Sequence, residues 1–198
     1  MKETKTRRSE LSRKTKESDI QVRLDLDGSG EIEVRTGIAF LDHMISSLAF
    51  HAGFDLTLCA VGDLEVDDHH TAEDSAVALG EAFAVCVGDR RGLARFGSAY
   101  APLDEALMRA VVDLSGRPYA VIEWNLSRES IGGLATENAA HWFRSFANAG
   151  GLTLHVDLLR GENDHHKIEA AFKATALALR QAVVRTGISQ IPSTKGVL

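Results

Sequence analysis

Two short stretches of this 198-residue chain carry metal-ligand chemistry at repeated spacing. Asp68-His69-His70 returns as Asp164-His165-His166, 96 residues later, and Glu73 returns as Glu169 at the same offset. On a helix, residues four apart lie one above the other, so His69 shares a face with Glu73 and His165 shares one with Glu169. Adjacent residues point about 100° apart. The spacing therefore sends His69 with Glu73 to one ion and His70 to a second. His165 with Glu169 and His166 divide in the same way. His43 and His141, 98 residues apart, supply a third histidine to each centre from the preceding helix. The result is two sites of three histidines and one carboxylate. Such donors suit manganese, iron, nickel, copper or zinc and are poor for calcium. A six-coordinate ion would keep two positions open, unlike a closed structural zinc site. A lone His-His pair is usually a surface or capping feature, which is the plain reading of His51 and His155. Six histidines at matching offsets make metal binding the stronger one.

Other residues offer anion and proton chemistry. Lys173 lies four residues after Glu169, on the same helix face, and its counterpart in the first half is Val77. Two alike metal sites with one lysine suit a substrate that has a single phosphate end. Arg95 and Arg117 add guanidinium forks. Ser193-Thr194-Lys195-Gly196 offers hydroxyls, a cation and backbone N–H groups, but lacks the glycine-rich sequence of a P-loop. Glu17 is, from spacing alone, an exposed carboxylate before the first strand.

The elements that must position these residues also repeat. Strands are expected near 20–26, 31–36 and 54–61, with helices near 38–51 and 71–88. In the second half strands are expected near 106–114, 118–125 and 151–159, with helices near 136–149 and 165–185. Residues 95–101 read as a further strand. Gly28 and Gly116 read as hairpin turns, and Asp68 and Asp164 as N-caps. The expectation is an α+β fold of a duplicated strand-strand-helix-strand-helix module with pseudo-twofold symmetry. The modules span 1–94, with a basic N-terminal segment, and 95–198, and form one continuous unit.

Composition sets the frame. Hydrophobic residues make up 44% and charged residues 25%, an ordinary globular balance. The two cysteines, Cys59 and Cys86, sit in apolar runs and read as small buried hydrophobes. No apolar run approaches the ~20 residues of a bilayer span. The first 16 residues hold seven Lys or Arg without an apolar stretch, so a solvated terminus is expected rather than a secretory signal. The net charge of −6 argues against nucleic acid as a partner.

Several motifs together resemble the imidazoleglycerol-phosphate dehydratase family. They are Thr36-Gly37-Ile38-Ala39-Phe40-Leu41-Asp42-His43-Met44, Asp67-Asp68-His69-His70-Thr71-Ala72-Glu73-Asp74 and Asn163-Asp164-His165-His166-Lys167-Ile168-Glu169. Arg95-Phe96-Gly97, Ser115-Gly116-Arg117-Pro118 and Ser193-Thr194-Lys195-Gly196-Val197-Leu198 look like the family too. The resemblance implies helices packed between two four-stranded sheets, and two manganese ions per chain. It assigns His43, His69, Glu73 and His166 to one ion, and His70, His141, His165 and Glu169 to the other. Glu17, Glu73 and Glu169 become the catalytic carboxylates. The substrate would meet Glu17, His43, His51, His69, Glu73 and His165, with Arg95, Arg117, Lys173, Ser193 and Lys195 at its phosphate end. The implied reaction is dehydration of imidazole glycerol phosphate in histidine biosynthesis. Two metals would stabilise the ring as imidazolate, and a carboxylate would remove the C2 proton. The family forms 24-subunit cytoplasmic shells with active sites between subunits. A two-metal phosphohydrolase and a non-catalytic metal-binding shell protein are the rival readings.

Overall fold

A computed structural model describes residues 6–188 and 190–196. The first half runs β1 (Arg8–Lys14), β2 (Ser18–Asp25), β3 (Ile32–Arg35), α1 (Ala39–Ala52), β4 (Asp55–Gly62) and α2 (His69–Val87). The second half runs β5 (Phe96–Leu103), β6 (Ala106–Asp113), β7 (Tyr119–Glu123), a small hairpin of β8 (Ser130–Ile131) and β9 (Leu134–Ala135), α3 (Thr136–Gly150), β10 (Thr153–Arg160) and α4 (Asp164–Ala182). Two four-stranded sheets form, in the orders β1-β2-β4-β3 and β5-β6-β10-β7. The α+β fold and its duplication are as expected.

Three features differ from the sequence reading. Arg8–Lys14, read as a solvated basic terminus, is an antiparallel edge strand on β2. Its residues alternate between exposed and half-buried, and an edge strand tolerates charge on its open side. The charges hid the alternation. β5, the further strand expected at 95–101, is its counterpart. Gly28 and Gly116 do not turn hairpins, because β2 and β3 are not neighbours. β3 instead pairs in parallel with β4, and β7 with β10, each through the intervening helix. Asp55, at the start of β4, holds the loop at Gly28, its Oδ1 accepting from the backbone N–H groups of Ser29, Gly30 and Glu31 at 2.7–2.8 Å. The true hairpins are β1–β2 and β5–β6.

The helices lie between the sheets, α2 chiefly on β1 and β2 and α4 on β5 and β6. In the middle layer α2 packs on α3 and α1 on α4. Burial of Trp142, Phe143, Phe146 and Phe172 there joins both halves into one apolar cluster. Gly80 lets α2 and α3 approach closely: a Cβ at this position would lie 2.7 Å from the Phe146 carbonyl oxygen. α1 and α3 end on Gly53 and Gly151 in the left-handed conformation, as C-terminal caps. No helix among the described residues is long and apolar enough to cross a membrane.

Candidate functional site

The repeated Asp-His-His motif sits at the N-termini of α2 and α4, and the residue before it makes the capping bond. Asp67 Oδ1 accepts from the His69 N–H at 2.8 Å, and Asn163 Oδ1 accepts from His165 N–H at 2.9 Å. Asp68 does hold the N-cap position of α2, as expected, but its side chain makes no capping bond. Asp164 is not the cap, lying inside the first turn of α4 after Asn163, and both carboxylates act as tethers. Asp68 accepts from the Ala135 N–H at 2.7 Å, at the entry to α3. Asp164 accepts from the backbone N–H groups of Ser127 and Arg128 and from the Ser127 hydroxyl, at 2.7–2.9 Å. Lys167 Nζ donates to its other oxygen at 2.9 Å in a buried ion pair. Burial opposes ionisation of Asp164, yet Lys167 and the loop N–H groups prevail and hold its carboxyl below the usual range. Supplying the capping bond one residue early frees each motif aspartate to fix a distant loop, so the histidines start their helices in a fixed orientation.

Six ligand-type side chains gather into two clusters. In one, His165 Nε2 and His43 Nε2 lie 3.1 and 3.3 Å from Glu169 Oε2. In the other, Glu73 lies 3.2 Å from His141 Nε2 and 3.8 Å from His69 Nε2. The donor atoms of each trio lie within 4.8 Å of one another. The i,i+4 pairs are therefore brought together as the spacing predicts. The third histidines are exchanged relative to expectation. Within the chain His43 joins His165 and Glu169, not His69 and Glu73, and His141 joins His69 and Glu73, not His165 and Glu169. The cause is packing: α1 lies against α4 and α2 against α3, so each third histidine comes from the other half of the duplication.

His70 and His166 join neither trio. His70 Nδ1 lies 3.0 Å from Asp63, and its Nε2 lies 4.0 Å from Glu17. His166 Nδ1 lies 2.7 Å from Glu105, and its Nε2 lies 3.9 Å from Asp104. A carboxylate can only accept, so in the neutral ring each Nδ1 carries the proton and each Nε2 keeps its lone pair. Asp63 and Glu105 raise the pKa values of these two histidines. The Glu105 carboxyl is itself lowered to about 2, first by the Asn163 N–H and then by His166. His69 is fixed in the same sense, its Nδ1 3.0 Å from Asn138 Oδ1. Such outer partners orient a ligand and raise its basicity.

Asp63, Asn138 and Glu105 were not among the sequence candidates. Glu105 had a signal: it follows Glu17 by 88 residues, the same offset that relates Gly28 and Gly116, and both glutamates occupy turns between the first two strands of their sheets. Asp63 and Asn138 had none.

The anion candidates divide. Arg95, Arg117, Ser193 and Lys195 line a cleft of about 850 Å³ beside the C-terminal segment. Val197 and Leu198 of that motif lie outside the described residues. Arg95 is already engaged, bridging to Asp113 at 2.7 Å and donating from Nη1 to the Pro192 carbonyl oxygen at 2.6 Å. Lys173 does not line this cleft. Its Nζ is 2.7 Å from Glu169 Oε1, beside the metal-type trio. Burial raises the Glu169 carboxyl, but the hydrogen bond and charge of Lys173, with His43, outweigh this and leave it below its ordinary value. His51 is lowered by burial and by the Lys173 charge, which places it near the same lysine.

The family model for imidazoleglycerol-phosphate dehydratase matches residues 36–179. A protein of that name from Eremothecium gossypii is 50% identical over an alignment of 218 residues, covering 98% of this chain and 99% of the relative. Another, from Phytophthora nicotianae, is 57% identical over 192 residues, covering 97% of this chain but 42% of that longer protein. Among solved structures, the Staphylococcus aureus imidazoleglycerol-phosphate dehydratase superposes with a TM-score of 0.82 at 37% identity, covering 90% of this chain and 99% of that one. The Pyrococcus furiosus structure, described as IGPD in complex with (S)-C348, gives a TM-score of 0.83 at 38% identity, covering 95% and 100%. With its duplicated fold, its two mirrored trios and this likeness along nearly its whole length, the chain belongs to the imidazoleglycerol-phosphate dehydratase family of hydro-lyases.

Proposed function

We propose that this chain dehydrates D-erythro-imidazole glycerol phosphate to imidazole acetol phosphate and water in histidine biosynthesis, as a cytoplasmic enzyme with two manganese ions per chain. The observation that carries the reading is the pair of mirrored trios, His43-His165-Glu169 and His69-His141-Glu73. Imidazole and carboxylate donors converge within 4.8 Å in each, a donor set that fits manganese and similar divalent ions. Each trio is one histidine short of the three-histidine, one-carboxylate set. Of the six histidines at matching offsets, His70 and His166 are the two left over, each with Nδ1 tied to a carboxylate and Nε2 available. They complete the centres of adjacent subunits, which makes activity depend on a homo-oligomer of 24 subunits. The modules 1–94 and 95–198 act as one unit in this reading, since each trio draws on both.

Bound there, the two ions supply Lewis acidity that stabilises negative charge on the imidazole ring. The residues of the chain do the rest. Glu17, in the β1–β2 turn beside His70, takes the proton from C2 of the glycerol chain. The hydroxyl next to the ring takes up a proton and leaves as water, and the enol so formed gains a proton at the ring-side carbon while its hydroxyl proton is lost, giving the ketone. Lys173 stands next to Glu169 and His51 near it, where a substrate held by its ring extends its chain. Arg95, Arg117, Ser193 and Lys195 form a second anion-binding group for the phosphate end of a substrate seated between subunits, fixing its orientation. The test is turnover by the metal-loaded protein with ketone and free phosphate measured separately. Ketone formation that depends on added manganese is expected. Phosphate release without ketone would establish a phosphohydrolase, and no turnover of either kind would leave a metal-binding shell protein.

A further inference from the structure

The two trios are built from the same ligand types, but their surroundings differ at two mirrored positions. Asn138 and Phe40 are equivalent, 98 residues apart, as are His141 and His43. Asn138 is buried and accepts from His69 Nδ1 at 3.0 Å. Phe40 meets His165 with its ring, centroid to centroid 4.9 Å and tilted by 57°. No acceptor for His165 Nδ1 lies among the described residues. Lys173 and Val77 form the second mirrored pair, 96 residues apart. Lys173 Nζ holds Glu169 Oε1 at 2.7 Å, whereas Val77 leaves Glu73 without a cation at that place. The carboxylates differ in exposure too, at 13% for Glu169 and 39% for Glu73. The remaining histidines, His70 and His166, do not distinguish the centres, because both have a carboxylate on Nδ1.

An acceptor on Nδ1 fixes the tautomer of a ligating histidine and makes Nε2 a stronger donor. A lysine on a ligating carboxylate acts oppositely: it shares the electron density of the oxygens and places a positive charge beside the cation. Both differences favour the same centre. We infer that the two metal centres are inequivalent, with the Asn138-supported trio His69-His141-Glu73 the tighter site and the Lys173-opposed trio His43-His165-Glu169 the weaker, more electrophilic one. Asn138 and Lys173 act here as positioning residues that set metal affinity from outside the ligand set. The inference rests on the dimetal reading above and extends it to an order of filling. It places the stronger Lewis acid at the centre nearest Lys173.

The test is manganese titration of the assembled, metal-stripped protein, read by the free-ion electron paramagnetic resonance signal and independently of activity. Two unequal affinity classes per chain are expected in the parent. Lys173→Met removes a charge-assisted hydrogen bond from Glu169 and should tighten the weaker class by about tenfold or more, leaving the tighter class in place. Asn138→Ala should loosen the tighter class by roughly 10- to 100-fold. Asn138→Asp, which restores an acceptor, controls for loss of packing and should retain tight binding. Two equal classes in the parent, or a Lys173→Met titration that overlays that of the parent, would overturn the inference while leaving the dimetal reading intact. A parent that binds no manganese would overturn both.

Discussion

Asp164 offers the most demanding test of how this fold holds its histidines. It sits in the first turn of α4, immediately before His165. Its side chain is 1% exposed and that of its partner Lys167 is 6% exposed. One oxygen receives the Ser127 N–H, the Ser127 hydroxyl and the Arg128 N–H, and the other receives Lys167 Nζ. Asp164→Ala removes both acceptor oxygens, and with them four hydrogen bonds, and leaves a buried ammonium whose remaining bond is to the Asn125 carbonyl oxygen at 3.0 Å. Removing one partner of a buried pair costs about 3–5 kcal/mol. The orphaned loop N–H groups fall within that range rather than adding to it, because Ser127 and Arg128 can move out to water once untethered. At roughly 2–4 °C per kcal/mol for a chain of this size, the melting temperature should drop by about 6–20 °C. Asp164→Leu combined with Lys167→Met should recover much of the loss, since an apolar pair of similar volume carries no desolvation cost.

The assay is denaturant unfolding of the metal-stripped protein at one fixed subunit concentration, which keeps metal and association out of the comparison. The pH dependence has a definite sign. The folded-state pKa of Asp164 lies below its ordinary value of 3.8, so its stabilisation is complete above the usual carboxylate range. It is lost as pH falls below that range, where the parent and Asp164→Ala should converge. A loss under about 1 kcal/mol at neutral pH, or a gap between the two proteins that widens in acid, would refute the tethering argument.

Other outcomes follow from the same geometry. His69→Ala and His165→Ala should each lose one of two bound ions per chain and nearly all activity; two full-strength ions by elemental analysis in either variant would undo the assignment. Glu17→Gln should keep both ions and bind substrate while turnover falls by about 10²- to 10⁴-fold, and activity within a few-fold of the parent removes Glu17 from the mechanism. Gly80→Ala gains about 1 kcal/mol of helix propensity. Its Cβ, however, would lie 2.7 Å from the Phe146 carbonyl oxygen. Overpacking of about 1–3 kcal/mol should win, lowering stability and weakening the His69-His141-Glu73 centre; a stabilised variant would show that α2 and α3 can separate freely.

Much of this protein is legible in its residues. Helix periodicity places His69 over Glu73 and His165 over Glu169 without reference to any fold, because four residues make one turn. The duplication exposes His43 with His141, and Lys173 against Val77, for the same reason that it exposes the helices: both are local or periodic properties. The misreadings are equally physical. β1 was hidden because its half-buried face, Ser9, Leu11 and Arg13, carries a single apolar residue, and Arg13 is accommodated there by its ion pair with Asp74, a partner 61 residues away. Gly28 and Gly116 resembled hairpin turns because a turn between two strand-like runs carries no mark of which strand its neighbour will pair with. β4 and β10, arriving a helix later, take the central place beside β2 and β6. Asp68 takes the cap position that the local rule gives it and Asp164 falls one residue inside its helix, but the rule could not show that their side chains bind groups 67 and 36–37 residues away.

The third histidine of each centre was beyond reach of local reasoning altogether. Helix order places His43 next to α2 and His141 next to α4, and the sequence carries that order and no more. Which helix faces which is set by shape. Gly80 admits α3 against α2, the aromatic cluster of Trp142, Phe143, Phe146 and Phe172 fills the middle layer, and α1 is left to cover α4. That packing carries His43 across to His165 and Glu169, and brings His141 to His69 and Glu73. The candidate ligands are marked by residue type and spacing, but their partnership is decided by close packing between helices far apart in the chain.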